Sequence, residues 1–262
     1  MFSVSRAPAF LVLLLAAAPA AAFDAAALRQ RLAPLAVLDA PVPELGASAA
    51  SGHFLDAGDL DVVRNFPAPP APGSALDRAD FVTLHRWQDS RSQAECSRAQ
   101  SEAHASYETL FGSVSPFPLP LGAEAKAFFT AVAADAGAAS VAVKNRYRRQ
   151  RPFLRDTTLN PCIERAGGFA YPSGHATLAR VYARALADLD PGRASDYRAR
   201  GDEAALDRVI GGVHHPSDIE AGKTLGDGVY EALKRIPGFN AELESLRRTL
   251  PGVGLLSAQP GP

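Results

Sequence analysis

Three short segments concentrate residue types that can bind an anion and transfer a proton. KNRYRRQRPF starts at Lys144 and carries one lysine and four arginines. PSGH, ending at His175, has the composition of a turn that opens a helix, where free backbone N–H groups and the helix dipole favour an anion. DRVIGGVHHPSD brings an arginine, two histidines and two aspartates into twelve residues. Together they predict a phosphate site.

Taken singly, each segment also fits a plain structural role. The basic run could be a solvated helix end, where cations meet the C-terminal dipole favourably. PSGH could be a capped turn with an incidental histidine, and Asp218 could cap the helix that starts at Pro216. Lys144 and Arg151 are seven residues apart, so the sequence predicts both on one helix face, together with Arg148.

The three segments together resemble the signature of the type 2 phosphatidic acid phosphatase superfamily. That signature is Lys, six residues, Arg-Pro; then Pro-Ser-Gly-His; then Ser-Arg, five residues, His, three residues, Asp. It covers about 75 residues here, and the chain is most similar to the bacterial class A non-specific acid phosphatases. Asp207 stands where the family usually has serine. If the Asp207 carboxylate faces the phosphate, it would repel the phosphate. If the carboxylate points away, it could support an arginine.

Chemistry and the resemblance imply the same phosphate-binding residues. Lys144, Arg151 and Arg208 are expected to neutralise phosphoryl oxygens, since arginine binds such oxygens in pairs and stays charged. Backbone N–H groups at Ser173 and Gly174, with the Ser173 hydroxyl, are expected to add directional hydrogen bonds.

The same reasoning assigns the catalytic roles. His214 is expected to attack phosphorus and form a phosphohistidine, with Asp218 orienting its ring. His175 is expected to start protonated, to protonate the leaving alkoxide and then to activate water. His215 is expected to point elsewhere, with substrate contact as the alternative. Three histidines match no motif and are assigned to surface or core: His53, His85 and His104.

The sequence predicts a metal-independent acid phosphatase that acts on small phosphate monoesters without a cofactor and is sensitive to vanadate. Alternatives are a soluble lipid-phosphate or diphosphate phosphatase, a vanadium-dependent haloperoxidase, and a phosphate-binding module without catalysis. A metal site formed by His214, His215 and Asp218 also stays open, although the nearby arginines would repel a cation. The formal net charge of −1 argues against nucleic acid as a partner. A homo-oligomer is possible.

The fold expected is all-α: a single-domain multi-helix bundle over residues 23–250, of the acid phosphatase/vanadium haloperoxidase type. Alanine is abundant and no alternating strand pattern occurs, which favours helix. Helical patterns run over residues 23–38, 75–111, 123–150, 175–189, 194–210, 216–235 and 240–250, with loops at residues 62–74, 113–122 and 153–171 and a loose tail at 251–262.

Residues 1–22 have the layout of a secretory signal peptide. Arg6 precedes an apolar run of about ten residues, and small residues end at Ala22. An uncleaved anchor is the alternative, but spanning a bilayer takes roughly 20 residues. We therefore expect a periplasmic or secreted protein without stable membrane insertion. In that oxidising compartment Cys96 and Cys162 could form a disulfide; two unpaired thiols are the alternative.

Overall fold

A computed structural model of the protein describes residues 52–250, and helices are the only regular secondary structure in that range. Three short 3-10 turns occur at Ala57–Asp59, Gly112–Val114 and Pro191–Arg193. The α-helices are α1 Asp61–Arg64, α2 Ala75–Ser90, α3 Gln93–Ser101, α4 Tyr107–Phe111, α5 Ala123–Tyr147, α6 Pro152–Arg155, α7 Gly174–Leu189, α8 Ala194–Ile210, α9 Pro216–Leu233 and α10 Pro237–Thr249. The all-α fold class is confirmed. The predicted signal peptide, the helix at 23–38 and the C-terminal tail lie outside the described residues.

The single helix predicted over residues 75–111 is wrong, because the chain forms α2, α3 and α4 there. Two serines start new helices inside the predicted one. Ser92 and Glu95 form a capping box at the start of α3, and Ser106 and Thr109 form a second at the start of α4. Each box satisfies backbone N–H groups that a helix start leaves free, so the chain can turn at both places.

The helix predicted over residues 123–150 ends early, at Tyr147. Arg148 adopts a left-handed backbone conformation with φ 46°, which stops α5. Pro152 then opens α6, and Arg151 occupies the N-cap position of that helix. The prediction that Lys144, Arg148 and Arg151 share one helix face is therefore wrong. Arg148 is exposed, and Arg151 belongs to a different helix from Lys144.

Helix α7 lies at the centre of the bundle and packs against α5, α8 and α9. Two glycines of α9 allow a close crossing with α7. A Cβ added at Gly222 would lie 2.5 Å from the carbonyl oxygen of Ser173, and one at Gly226 would lie 2.7 Å from that of Thr177. Only glycine fits such contacts without a shift. This crossing holds the first turns of α7 and α9 together.

Aromatic side chains fill the core between α4, α5 and α7. The ring of Tyr107 lies 4.2 Å from that of Phe129, and Phe129 packs edge-on against Tyr182 at 5.3 Å. Among the described residues, the stretch Ala123–Arg155 alone is long and apolar enough to cross a membrane. Of its most apolar window, 61% is buried in the protein, as in a helix that belongs to a core.

Candidate active site

The three signature segments meet at a cavity of about 300 Å³. Three features of the fold bring them there: the end of α5 with the following turn, the start of α7, and the end of α8 with the start of α9. Six of the eight predicted site residues line the cavity: Lys144, Arg151, Gly174, His175, Arg208 and His214. Ser173 and Asp218 are fully buried behind its wall.

Two of the three cavity cations are held by backbone carbonyls. Lys144 Nζ donates to the carbonyl of Phe169 at 2.6 Å. The guanidinium of Arg151 donates to the carbonyls of Gly167 and Val213 at 2.8 and 3.0 Å. Arg208 differs, because its Nε and Nη1 have no hydrogen-bond partner in the described part of the chain although the residue is only 2% exposed. A buried guanidinium in this state needs an acceptor, and an oxyanion in the cavity would supply one.

Crowding of like charges perturbs the titration of these cations. Burial and the neighbouring Arg151 lower the pKa of Lys144 to about 7. Burial and Arg151 likewise lower the pKa of Arg208 to about 10. A bound anion would relieve both repulsions, so the electrostatics of the cavity favour negative charge.

The ring of His214 is neutral, and its tautomer follows from its neighbours. Burial and the charge of Arg151 hold its pKa well below the usual value. Arg151 Nη1 lies 2.7 Å from His214 Nε2, and a guanidinium can only donate. Nε2 therefore carries the lone pair and Nδ1 carries the proton. Nδ1 lies 3.4 Å from Oδ2 of Asp218.

Asp218 is a buried carboxylate shared by two histidines. Although burial alone would raise its pKa, contacts with His214 and His215 and the charge of Arg149 hold the pKa well below the usual range. Oδ2 accepts from both the backbone N–H and the Nδ1–H of His215 at 2.8 Å. Oδ1 accepts from Arg149 Nη1 at 2.7 Å. These bonds fix the carboxylate beside His214.

His215 points away from the cavity, as expected, and has a structural partner on each side. Its Nε2 accepts from Arg155 Nη1 at 3.1 Å, and its Nδ1–H faces Asp218. Arg155 in turn binds both carboxylate oxygens of Asp77 at 2.8 Å. Arg149 joins the same network through Asp77 and Asp80, at 3.1 and 2.9 Å.

Sequence patterns do not predict this supporting network. Two of its carboxylates, Asp77 and Asp80, come from the first two turns of α2, three residues apart. Arg149 belongs to the basic segment, which does not separate it from the cations that face the cavity, and Arg155 lies two residues after that segment.

His175 is anchored by the end of α3. Its ring Nε2 lies 3.0 Å from the carbonyl oxygen of Glu102, to which it donates. The buried Glu102 side chain pairs with Arg200. Burial and the charge of Arg208 lower the pKa of His175 to about 3, which favours the neutral ring. That His175 starts protonated therefore stays a prediction about the complex with a phosphate ester.

Residues 124–237 match the model of the PAP2 superfamily, and all eight predicted site residues fall inside that range. The match covers less than half of the chain. Over 117 residues the chain is 36% identical to a non-specific acid phosphatase of Salmonella typhimurium, covering 43% of this chain and 46% of that protein. It is 34% identical to an acid phosphatase of Zymomonas mobilis over 112 residues, 41% of this chain and 42% of the relative.

These two alignments span less than half of the relatives' length. A third relative aligns more fully: the non-specific acid phosphatase of Providencia stuartii is 25% identical over 200 residues, 72% of this chain and 80% of its own. Among solved structures, a bacterial vanadium-dependent iodoperoxidase aligns with a TM-score of 0.47 and 17% identity, covering 63% of this chain and 52% of that chain.

Ser173 caps α7 and does not line the cavity. Its Oγ accepts from Ala176 N at 3.4 Å, and its own N–H donates to the carbonyl of Asp218 at 2.9 Å. The free Ser173 amide expected from the sequence is therefore engaged elsewhere. Gly174, the first residue of α7, does line the cavity.

Asp207, the departure from the signature, does not line the cavity. Both of its carboxylate oxygens accept from Arg98 of α3 at 2.8 Å. Asp207 is fully buried, whereas Arg98 is 38% exposed. The Asp207 carboxylate therefore supports an arginine, which is one of the two possibilities expected from the sequence. That arginine, Arg98, does not line the cavity.

A disulfide ties α3 to the loop that supplies carbonyls to the cavity cations. Cys96 and Cys162 are bonded at 2.04 Å, which confirms the predicted pairing. Among residues 52–250 no group of three or more His, Cys, Asp and Glu side chains is arranged to hold a metal ion.

Proposed function

We propose that this PAP2 domain is a metal-independent acid phosphatase that hydrolyses phosphate monoesters through a phosphohistidine on His214. The observation that carries the proposal is the pairing of two groups in one cavity. Arg208 offers buried donors that lack an acceptor, and His214 offers a lone pair on Nε2. The relatives named acid phosphatases support the same activity.

Substrate binding uses the three cavity cations. The phosphoryl oxygens would accept from Arg208 and displace part of the hydrogen bonding of Lys144 and Arg151. Three positive charges and the N-terminus of α7 would stabilise the charge that develops in phosphoryl transfer. In the proposed reaction these charges do the work for which other phosphatases use a metal ion.

In the first half-reaction the Nε2 lone pair of His214 forms a bond to phosphorus while the ester P–O bond breaks. His175 gives its proton to the leaving oxygen, which departs as the alcohol. The ring of His214 becomes a phosphorylated imidazolium whose Nδ1–H faces the Asp218 carboxylate. The carboxylate offsets the new positive charge.

In the second half-reaction His175 takes a proton from water, and the water oxygen attacks phosphorus. The P–N bond breaks, and its electrons return to Nε2 of His214. Inorganic phosphate leaves, and His175 is again protonated. Because Nε2 of His175 donates to the Glu102 carbonyl, Nδ1 is the nitrogen that gains and loses this proton.

The protonation of His175 depends on the substrate. Burial and the nearby charges of Arg208 and Arg151 lower its pKa to about 3. A bound phosphate ester brings negative charge next to the ring and raises the pKa. Protonation then accompanies substrate binding and becomes easier as pH falls, which favours activity on the acid side of neutrality.

Export to the periplasm is part of the proposal. It rests on the signal-peptide pattern of residues 1–22, and the Cys96–Cys162 disulfide fits an oxidising compartment.

The test is hydrolysis of p-nitrophenyl phosphate from acidic to mildly alkaline pH, with excess EDTA and with or without vanadate. We expect acid-side turnover that survives EDTA and falls with vanadate. His214→Ala should lower kcat by more than roughly 10⁴-fold while inorganic phosphate still binds. Rapid quenching of the wild type should trap phosphorylated protein by intact mass.

His85→Ala is the matched control, because His85 is partly exposed and pairs with Asp156 outside the cavity. Its turnover should equal that of the wild type. Turnover lost to EDTA would contradict metal independence. Phosphate binding without turnover at any pH would indicate a binding module.

A further inference from the structure

Gly137 lies in the middle of α5, where packing gives no reason for a glycine. A Cβ added there would meet no atom within 4 Å. A glycine inside a helix is destabilising relative to alanine, so an unexplained one points to another constraint. Gly137 is exposed and lines the cavity that holds Arg208 and His214.

The cavity wall around Gly137 is lined by apolar side chains, most of them short. The lining residues outside the phosphate-binding and catalytic set are Ala103, Ala105, Ala133, Gly137, Ala166 and Leu178. None of these six side chains carries a charge or a hydrogen-bonding group. A ligand portion that touches them gains contact with hydrocarbon and meets no polar side chain from this set.

This wall lies on the side of the proposed acid. Leu178 follows His175 by three residues on α7, so the two side chains share a helix face. Ala103 directly follows Glu102, whose carbonyl accepts from the His175 ring. The unpartnered guanidinium of Arg208 marks the phosphate end of the same cavity. The acid must contact the leaving oxygen, so the alcohol portion of the ester lies against the wall.

We propose that this apolar wall is the leaving-group subsite and that Gly137 sets its width. The preferred substrates are then phosphate monoesters of compact apolar alcohols or phenols, in preference to esters of polyhydroxylated or charged alcohols. The cavity of about 300 Å³ is at the small end of ligand pockets, which suits a phosphate with one compact group. This inference rests on the proposed function.

The test measures binding of phosphonates, which cannot be hydrolysed, by calorimetry on the folded wild type. We expect phenylphosphonate to bind at least about tenfold more tightly than 2-hydroxyethylphosphonate, because its ring covers the apolar wall. Inorganic phosphate serves as the probe of the phosphate end alone.

Gly137→Leu is the decisive variant. It should weaken phenylphosphonate binding by roughly tenfold or more and leave inorganic phosphate within about twofold of the wild type. Gly238→Leu is the matched control, since Gly238 lies in α10, lacks any atom within 4 Å of an added Cβ, and does not line the cavity. It should change neither affinity. Gly137→Ala should raise Tm by about 2–4 °C, since it removes a glycine from a helix.

Two results would overturn the inference. One is a wild type that binds both phosphonates equally; the other is a Gly137→Leu variant that loses phosphate and phenylphosphonate to the same extent. Failure of the proposed function would give a different experimental result. In that case p-nitrophenyl phosphate is not turned over, whereas phosphonate binding by calorimetry still reports on the wall.

Discussion

Lys144 makes anion binding depend on pH in a way that can be measured. Burial and the nearby Arg151 lower its pKa from 10.5 to about 7 in the unliganded cavity. An anion bound beside Nζ favours the charged form and returns the pKa towards its ordinary value. Between those two pKa values the free protein lacks a proton that the complex holds, so binding takes up a proton and weakens as pH rises.

The size of the effect follows from the difference between 10.5 and about 7. At roughly 1.36 kcal/mol for each pH unit, full restoration of the pKa corresponds to a coupling of ~5 kcal/mol. The affinity should fall by at most about tenfold per pH unit above neutrality, or roughly thirtyfold between pH ~7.5 and ~9. Arg208, with a pKa of about 10, contributes little in this interval.

The assay is calorimetric binding of sulfate, whose charge is constant across this range, unlike that of phosphate. Lys144→Arg is the control, since a guanidinium stays charged well above pH 9. We expect the wild type to lose sulfate affinity over the interval while Lys144→Arg keeps a nearly flat profile. Equal slopes for the two proteins would refute the assignment of the proton to Lys144.

Two further predictions concern the surroundings of the site. Arg98→Met should destabilise the protein by about 3 kcal/mol in urea unfolding, because it leaves the buried Asp207 carboxylate without its partner. Adding Asp207→Ser should recover much of that loss, and no recovery would speak against the pair. Reducing Cys96–Cys162, which closes a loop of 66 residues, should cost about 4 kcal/mol by the chain-entropy model. Unchanged unfolding after reduction, verified by mass, would contradict it.

The sequence predicted the cavity residues well because their chemistry is encoded in short segments. Each segment contains its turn signal and its reactive side chains within about a dozen residues, as in PSGH at the start of α7. The family spacing then indicates that the segments meet. The partners of Arg149 could not be found in this way. Asp77 and Asp80 are about 70 residues away, and no spacing rule relates them to the basic segment.

The helix boundaries show where local patterns mislead. No proline or glycine interrupts the sequence between Tyr147 and Gln150, but one left-handed residue, Arg148, ends α5. Lys144 and Arg151 therefore do not share a helix face, although both residues line the cavity. The turn between the helices brings Arg151 back to the cavity, and residue 148 is not the glycine that usually marks a left-handed helix end.

The buried network behind the nucleophile explains how a neutral histidine could become a cation during the proposed reaction. Its three carboxylates face two guanidiniums, which leaves one negative charge, and Asp218 directs it at Nδ1 of His214. Burial and the charge of Arg151 outweigh the effect of Asp218, and they keep the pKa of His214 well below its usual value. A transferred phosphoryl group would offset the cavity cations, and the Asp218 carboxylate would then stabilise the imidazolium. The same ring is thus kept neutral for attack and supported as a cation afterwards.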